Sequence, residues 1–131
     1  MNCNELVNRV QHDLKLPGLG ETLRALRATL TTLGERLHAG EAKDLASNLP
    51  MEIDRYLLEA DSGQRFDYSE FVSRVSERGK IDKPDAAYQA QQLMAIVAEA
   101  VPAGEIRDIR DGLPEEFDDL FEQIPLKPMA G

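Results

Sequence analysis

The sequence predicts an all-α fold built from two similar four-helix units, and three observations support this. Five leucines recur at steps of three and four residues, which places them on one helix face: Leu23, Leu26, Leu30, Leu33 and Leu37. Residues 40–45 return as residues 104–109, an offset of 64, with the same Gly-Glu-x-x-Asp pattern. No stretch of strand length alternates apolar and polar residues.

The first helix of each unit is short and begins at a capping residue. Asn2 precedes Glu5 by three positions, and Asp67 precedes Glu70 in the same way. This spacing is typical of a capping box, in which the first side chain satisfies a free amide at the helix start.

The second helix of each unit is the long one, predicted near residues 20–38 and 84–101. Adding 64 to the five leucine positions gives a second apolar stripe with smaller side chains at its start: Ala87, Ala90, Met94, Val97 and Val101. Proline interrupts a helix, so Pro102 marks where the second long helix must stop.

Two shorter helices complete each unit. Gly40 and Gly104 precede the acidic starts of the third helices. Pro50 and Pro114 follow leucines, and proline is well tolerated at a first helical position. They are therefore predicted to begin the last helices, in which residues 51–59 align with residues 115–123.

We expect a single domain over residues 1–124, with one unit at 2–60 and the other at 67–124. Residues 61–66 form the connecting turn, and residues 125–131, which contain two prolines, form a flexible tail. Each unit is too small to bury a sufficient core alone, so the two are expected to share one core.

The composition of the 131-residue chain indicates a globular protein with a net charge of −9. This charge disfavours nucleic acid as a partner, because phosphate binding requires a basic surface. No apolar run reaches the length of a membrane span, and no secretory signal is visible, so a cytoplasmic location is expected. The single cysteine, Cys3, excludes an internal disulfide.

The repeated motifs together resemble an uncharacterised bacterial family, domain of unknown function 2267. The shared features are Glu-Leu/Phe-Val-x-Arg-Val at residues 5–10 and 70–75, the long leucine-rich helix, and Gly-Glu-x-x-Asp followed by Leu-Pro. The resemblance covers roughly residues 3–123. It implies an all-helical, internally duplicated bacterial protein and supplies no catalytic residue.

No residue pattern predicts catalysis, a cofactor or a metal site. His38 and Glu41 have a spacing that could bridge a metal, but a histidine at a helix end is the commoner explanation. The glycine pair Gly18 and Gly20 lacks the strand that a dinucleotide fingerprint needs. Each repeated Glu-x-x-Asp pair could hold a cation, but the pairs are interpreted as helix-start residues, whose negative charge complements the helix dipole.

One acidic surface is the candidate partner-binding site. On an α-helix, four carboxylates at steps of three and four share one face: Glu115, Asp118, Asp119 and Glu122. Such a face either serves solubility or recognises a basic protein partner.

The sequence therefore favours a non-enzymatic interaction or regulatory protein. The alternative is a small-molecule binding protein, or an unrecognised enzyme, that uses a cleft between the two units. Whether the protein is a monomer or a homodimer stays open at this point.

Overall fold

Seven α-helices and one 3₁₀-helix make up the secondary structure of the computed structural model, which describes residues 1–126. The α-helices are α1 (Cys3–Asp13), α2 (Leu19–Arg36), α3 (Ala39–Ala46), α4 (Asp54–Leu58), α5 (Tyr68–Gly79), α6 (Lys83–Ala98) and α7 (Ala103–Gly112). The 3₁₀-helix is Glu115–Phe121. No strand occurs in this part of the chain, so the predicted all-α class is confirmed.

The predicted caps of α1 and α5 are present. The side chain of Asn2 accepts a hydrogen bond from the backbone amide of Glu5 at 2.9 Å. Asp67 accepts the equivalent bond from Glu70 at 2.8 Å. In a full capping box the glutamate side chain also accepts a hydrogen bond from the backbone amide of the capping residue. Here the glutamates have other donors: Glu5 accepts a hydrogen bond from the Asn2 side chain, and Glu70 accepts one from the Arg74 side chain. Each cap satisfies one free amide of its helix.

The two long helices bury the predicted stripes with small differences. Leu26, Leu30 and Leu33 of α2 are fully buried, whereas Leu23 stays half-buried. Helix α6 ends at Ala98, three residues earlier than predicted. After it the amides of residues 99–101 donate to carbonyls three positions back, so the last turn tightens before Pro102.

The predicted start of the fourth helix at Pro50 is wrong. Residues 51–53 form a turn in which Glu52 has a φ of 83°, and α4 begins only at Asp54. A left-handed residue cannot continue an α-helix, so the turn delays the helix. Its sequence counterpart, which follows Pro114, is a 3₁₀-helix rather than an α-helix.

Helices α2 and α6 form the centre of the bundle and pack on each other. Helices α1 and α5 each pack against both, while α4 packs on α2 and α3, and the 3₁₀-helix packs on α6 and α7. The first four elements correspond in order to the last four, so that α1 matches α5, α2 matches α6, α3 matches α7 and α4 matches the 3₁₀-helix. Each packed pair in one half then has a matching packed pair in the other. The two halves therefore have the same order of helix packing, which supports the duplication. The duplication itself stays a prediction, because a shared packing order does not establish that the two halves have the same structure.

The buried hydrophobic residues form one continuous cluster with members from both halves of the chain. Aromatic packing within the second half centres on Phe117, whose ring centroid lies 5.5 Å from that of Tyr68 and 5.9 Å from that of Phe71. The connecting turn is fixed to α2 and its C-cap, since Gly63 and Gln64 donate to the carbonyls of Leu37 and Glu35.

The predicted tail falls partly outside the described residues, which end at 126. Leu126 packs partly against the core cluster, and residues 127–131 lie outside the described part. Among the described helices, none has the length and apolar character needed to cross a membrane.

Candidate functional site

The two copies of the Gly-Glu-x-x-Asp pattern meet in one cleft between α3 and α7. Each helix places its glutamate in the first turn and its aspartate one turn later. The cleft has a volume of about 360 Å³, and we call it the acidic cleft; it is lined by His38, Glu41, Asp44, Glu105, Asp108 and Ile109. Sequence reasoning identified these glutamates and aspartates as helix-start residues and did not predict that they face each other.

Helices α3 and α7 run in opposite directions across the acidic cleft. The side chain of Asn48, just beyond the end of α3, donates a hydrogen bond to Glu105 near the start of α7. At the other end, a β-carbon built at Gly112 would lie 3.4 Å from Oε2 of Glu41. Each glutamate therefore lies beside the end of the opposite helix. Within residues 1–126, a side-chain amide donates to Glu105 and none donates to the carboxylate of Glu41.

Burial raises the pKa of the Glu41 carboxyl. The negative charges of Asp108 and Asp44 raise this pKa further, and the nearby His38 and Arg36 side chains oppose the shift. A raised pKa means that the charged form is less stable in the folded protein than in water.

Glu105 has a raised pKa for the same reasons. Burial is the largest cause, and the charges of Asp44 and Asp108 add to it. The hydrogen bond from Asn48 acts in the opposite direction. Each glutamate is thus repelled by the aspartate of the opposite helix as well as by that of its own.

Little positive charge compensates these four carboxylates. Across residues 1–126, the one basic nitrogen within 4.0 Å of any of them is Nε2 of His38, at 3.9 Å from Glu41 Oε2. No three His, Cys, Asp or Glu side chains in that range are arranged to hold a metal ion. The cleft is therefore a negative site whose charge His38 and Arg36 compensate only in part, and whose carboxylates do not converge on a single ion.

His38 is a helix-capping residue rather than part of a metal site. Its Nδ1 accepts a hydrogen bond from the backbone amide of Glu41 at 3.2 Å, which caps α3. His12 is exposed, with Nδ1 at 3.0 Å from the carboxylate of Asp13. Cys3 is a half-buried free thiol.

The four carboxylates singled out from the sequence are all exposed, but they do not share one face. Because a 3₁₀-helix has three residues per turn, positions three apart align and neighbours diverge. By this periodicity Glu115 and Asp118 align on one edge of the helix, and Asp119 is on the next edge, with Glu122 just beyond the helix end. Their binding role stays a prediction.

Glu116 makes a contact that the sequence did not predict. Its Oε1 accepts a hydrogen bond from the backbone amide of Tyr68 at 2.9 Å, which ties the 3₁₀-helix to the start of α5. The side-chain hydroxyl of Tyr68 is buried and has no hydrogen-bond partner among the described residues.

Comparison with known families matches residues 3–120 to the model described as Uncharacterized conserved protein (DUF2267). The chain belongs to this family. The resemblance inferred from the repeated motifs is confirmed. No curated protein matches the chain. Both halves of the acidic cleft lie inside the DUF2267 match, whereas Glu122 lies beyond its end.

Proposed function

We propose that this protein is a non-enzymatic interaction module that binds a basic segment of a partner protein in the acidic cleft. The observation that supports the proposal is that Glu41 and Asp44 meet Glu105 and Asp108 in one cleft, and that no arginine or lysine is among the described residues that line it. Folding brings these charges together, and a cation from outside would relieve their repulsion.

The shape of the cleft favours a lysine or arginine side chain as the occupant. Both side chains carry their charge at the end of a flexible apolar stem, so they can reach into a volume of about 360 Å³. Partial burial of Glu41 and Glu105 lowers the screening of the pair that would form. A cationic side chain there would gain more than it would on a fully exposed surface.

The exposed carboxylates of the 3₁₀-helix act in this proposal as a steering surface. Acidic side chains outside a binding site raise the rate at which a basic partner arrives, and salt weakens this effect. Glu115 and Asp118 therefore contribute to the approach, and the acidic cleft contributes to the bound complex.

Two variants with equal loss of charge separate the cleft from the general negative charge of the protein. Glu41→Gln with Glu105→Gln removes two charges from the cleft, and Glu115→Gln with Asp118→Asn removes two from the 3₁₀-helix. Binding of a fluorescent arginine-rich peptide is measured by anisotropy at low and at high salt. We expect the cleft variant to weaken binding about tenfold and the 3₁₀ variant about twofold.

Equal weakening by both variants would show that only the net charge attracts the peptide, which contradicts the proposal. Weakening confined to the 3₁₀ variant would move the site to Glu115 and Asp118. A pull-down from native lysate with the same two variants then tests whether a cellular partner depends on the cleft.

A further inference from the structure

A second and larger cavity lies along α2, at the boundary between the two halves of the chain. It has a volume of about 690 Å³. We call it the arginine groove, and its principal lining residues are Leu23, Arg24, Arg27, Thr31, Tyr56 and Arg78. The first four belong to α2, Tyr56 belongs to α4, and Arg78 comes from α5 in the second half.

The groove contains positive charge that the protein does not neutralise. Arg78 is held by Glu35 through two hydrogen bonds, of 2.6 and 2.9 Å. Arg24 and Arg27 have no carboxylate within 4.0 Å among residues 1–126. In a chain with a net charge of −9, two adjacent uncompensated guanidinium groups form a local anion-attracting surface.

The groove also contains apolar surface. Leu23 is the one member of the five-leucine stripe that stays partly exposed, and it lines the cavity. Tyr56 lines the cavity from α4, the helix that follows the turn at Glu52. A ligand in the groove would therefore meet arginine side chains and apolar surface together.

A neighbouring cavity of about 610 Å³ continues the groove past Arg27, Thr31 and Tyr56. It reaches Met51, whose exposed fraction is 81%, and Glu52, the residue with a φ of 83°. Left-handed non-glycine residues are strained and concentrate at ligand-binding segments. The strained turn thus lies at the edge of the groove and presents an exposed apolar side chain there.

The arginines have no counterpart in the second copy of the sequence pattern. The positions 64 residues after Arg24 and Arg27 are Tyr88 and Gln91. The shared helical pattern therefore does not require a positive charge at either position, and packing does not explain them because both side chains are exposed.

We propose that the arginine groove binds a small organic anion in which a carboxylate or phosphate group is joined to an apolar body. Arg24 and Arg27 lie three positions apart on one helix face and contact the anionic oxygens. Leu23 and Tyr56 pack against the apolar body. The volume is within the range of pockets that hold small ligands, which combine apolar walls with a few polar groups.

The probe for this site is 8-anilinonaphthalene-1-sulfonate, whose fluorescence rises in an apolar environment. N-phenyl-1-naphthylamine is the matched neutral probe, because it has the same rings without the sulfonate. We expect saturable binding of one anionic probe per chain, at least about tenfold tighter than that of the neutral probe. Equal affinity for the two probes would overturn the proposal.

The variant Arg24→Gln with Arg27→Gln is expected to weaken binding of the anionic probe at least tenfold, and Lys43→Gln, an exposed change on α3, leaves it unchanged. Circular dichroism confirms that each variant is folded. Displacement of the probe by decanoate assigns a carboxylate ligand, and displacement by phenyl phosphate assigns a phosphate ligand. Displacement by neither, or full binding to the double variant, would overturn the proposal.

Discussion

Glu35 accepts hydrogen bonds from both terminal nitrogens of Arg78, at 2.6 and 2.9 Å. Glu35 belongs to α2 and Arg78 to α5, so this pair joins the two halves of the chain. Arg74 adds a third hydrogen bond to the same carboxylate at 3.1 Å. The Glu35 side chain is only 11% exposed, and its charge is satisfied by two arginines instead of by water.

Replacing Glu35 by glutamine is expected to lower the free energy of unfolding by about 2 kcal/mol. Hydrogen bonds to charged groups contribute roughly 1.5–3 kcal/mol, and the partial exposure of both arginines limits the loss that a fully buried pair would show. Urea denaturation followed by circular dichroism measures the change. The control is Glu99→Gln, which breaks an exposed pair with Arg9 and should leave the denaturation midpoint nearly unchanged. Equal midpoint shifts in the two variants would contradict the prediction.

The same carboxylate predicts a dependence of stability on acid pH. Burial acts to raise the pKa of Glu35, but hydrogen bonds from Arg78 and Arg74 outweigh it, so the pKa is lowered. A lowered pKa stabilises the fold above the unfolded value of about 4.3, and this stabilisation is lost as pH falls through the folded value. The difference in melting temperature between the protein and Glu35→Gln should therefore shrink below about pH 4. A constant difference down to the lowest pH that permits folding would contradict this.

Gly34 is predicted to be a packing requirement of α2. A β-carbon there would lie 2.8 Å from Cβ of Ala60 and 2.9 Å from the backbone oxygen of Leu57. Gly34→Ala should lower the free energy of unfolding by about 1–3 kcal/mol, although alanine alone favours a helix by about 1 kcal/mol. Gly20→Ala on the same helix is the control, because nothing lies within 4 Å of its β-carbon. It should be neutral or slightly stabilising.

The elements that sequence predicted correctly depend on local chemistry. Asn2 and Asp67 cap helices because their side chains reach an amide three residues away, whatever the rest of the fold does. Leu26 and Leu30 are buried because a period of 3.6 residues places them on one face.

The errors arose where local signals permit more than one backbone conformation. A proline that follows a leucine can open an α-helix, a turn or a 3₁₀-helix, and tertiary packing decides among them. The turn at Glu52 and the 3₁₀-helix after Pro114 are both examples. For the same reason, the motif repeat identified Glu41 and Glu105 but not their approach across the cleft, which the packing of distant helices determines.

Removing the charges of Glu41 and Glu105 is expected to stabilise the protein at neutral pH. Their raised pKa values mean that the protonated forms stabilise the fold at low pH, and that this stabilisation is lost as pH rises through the folded pKa values. The double glutamine variant should therefore become more stable relative to the unmodified protein as pH rises above the unfolded pKa of about 4.3, with the difference reaching about 0.5 kcal/mol at neutral pH. Thermal unfolding across this pH range measures the gain.

Glu115→Gln with Asp118→Asn is the matched control, because it removes two charges from exposed positions on the 3₁₀-helix. Its gain should be smaller. A cleft variant less stable than the unmodified protein at pH 7 would contradict the prediction. It would mean that the two carboxylates stabilise the fold through the helix dipole by more than their mutual repulsion destabilises it.

The second half of the chain is expected not to fold alone. In the whole protein α5 packs on α2, and α6 packs on α1. A fragment of residues 65–125 lacks α1 and α2, so part of the apolar surface of α5 and α6, which includes the buried residues Phe71, Val75 and Met94, would become exposed to water. A chain of about 60 residues buries only about 60% of its surface, which leaves little margin for this loss. Sedimentation and circular dichroism should show an unfolded or self-associated fragment, with helical signal restored by adding residues 1–64. A stable helical monomer would show that the halves do not depend on a shared core.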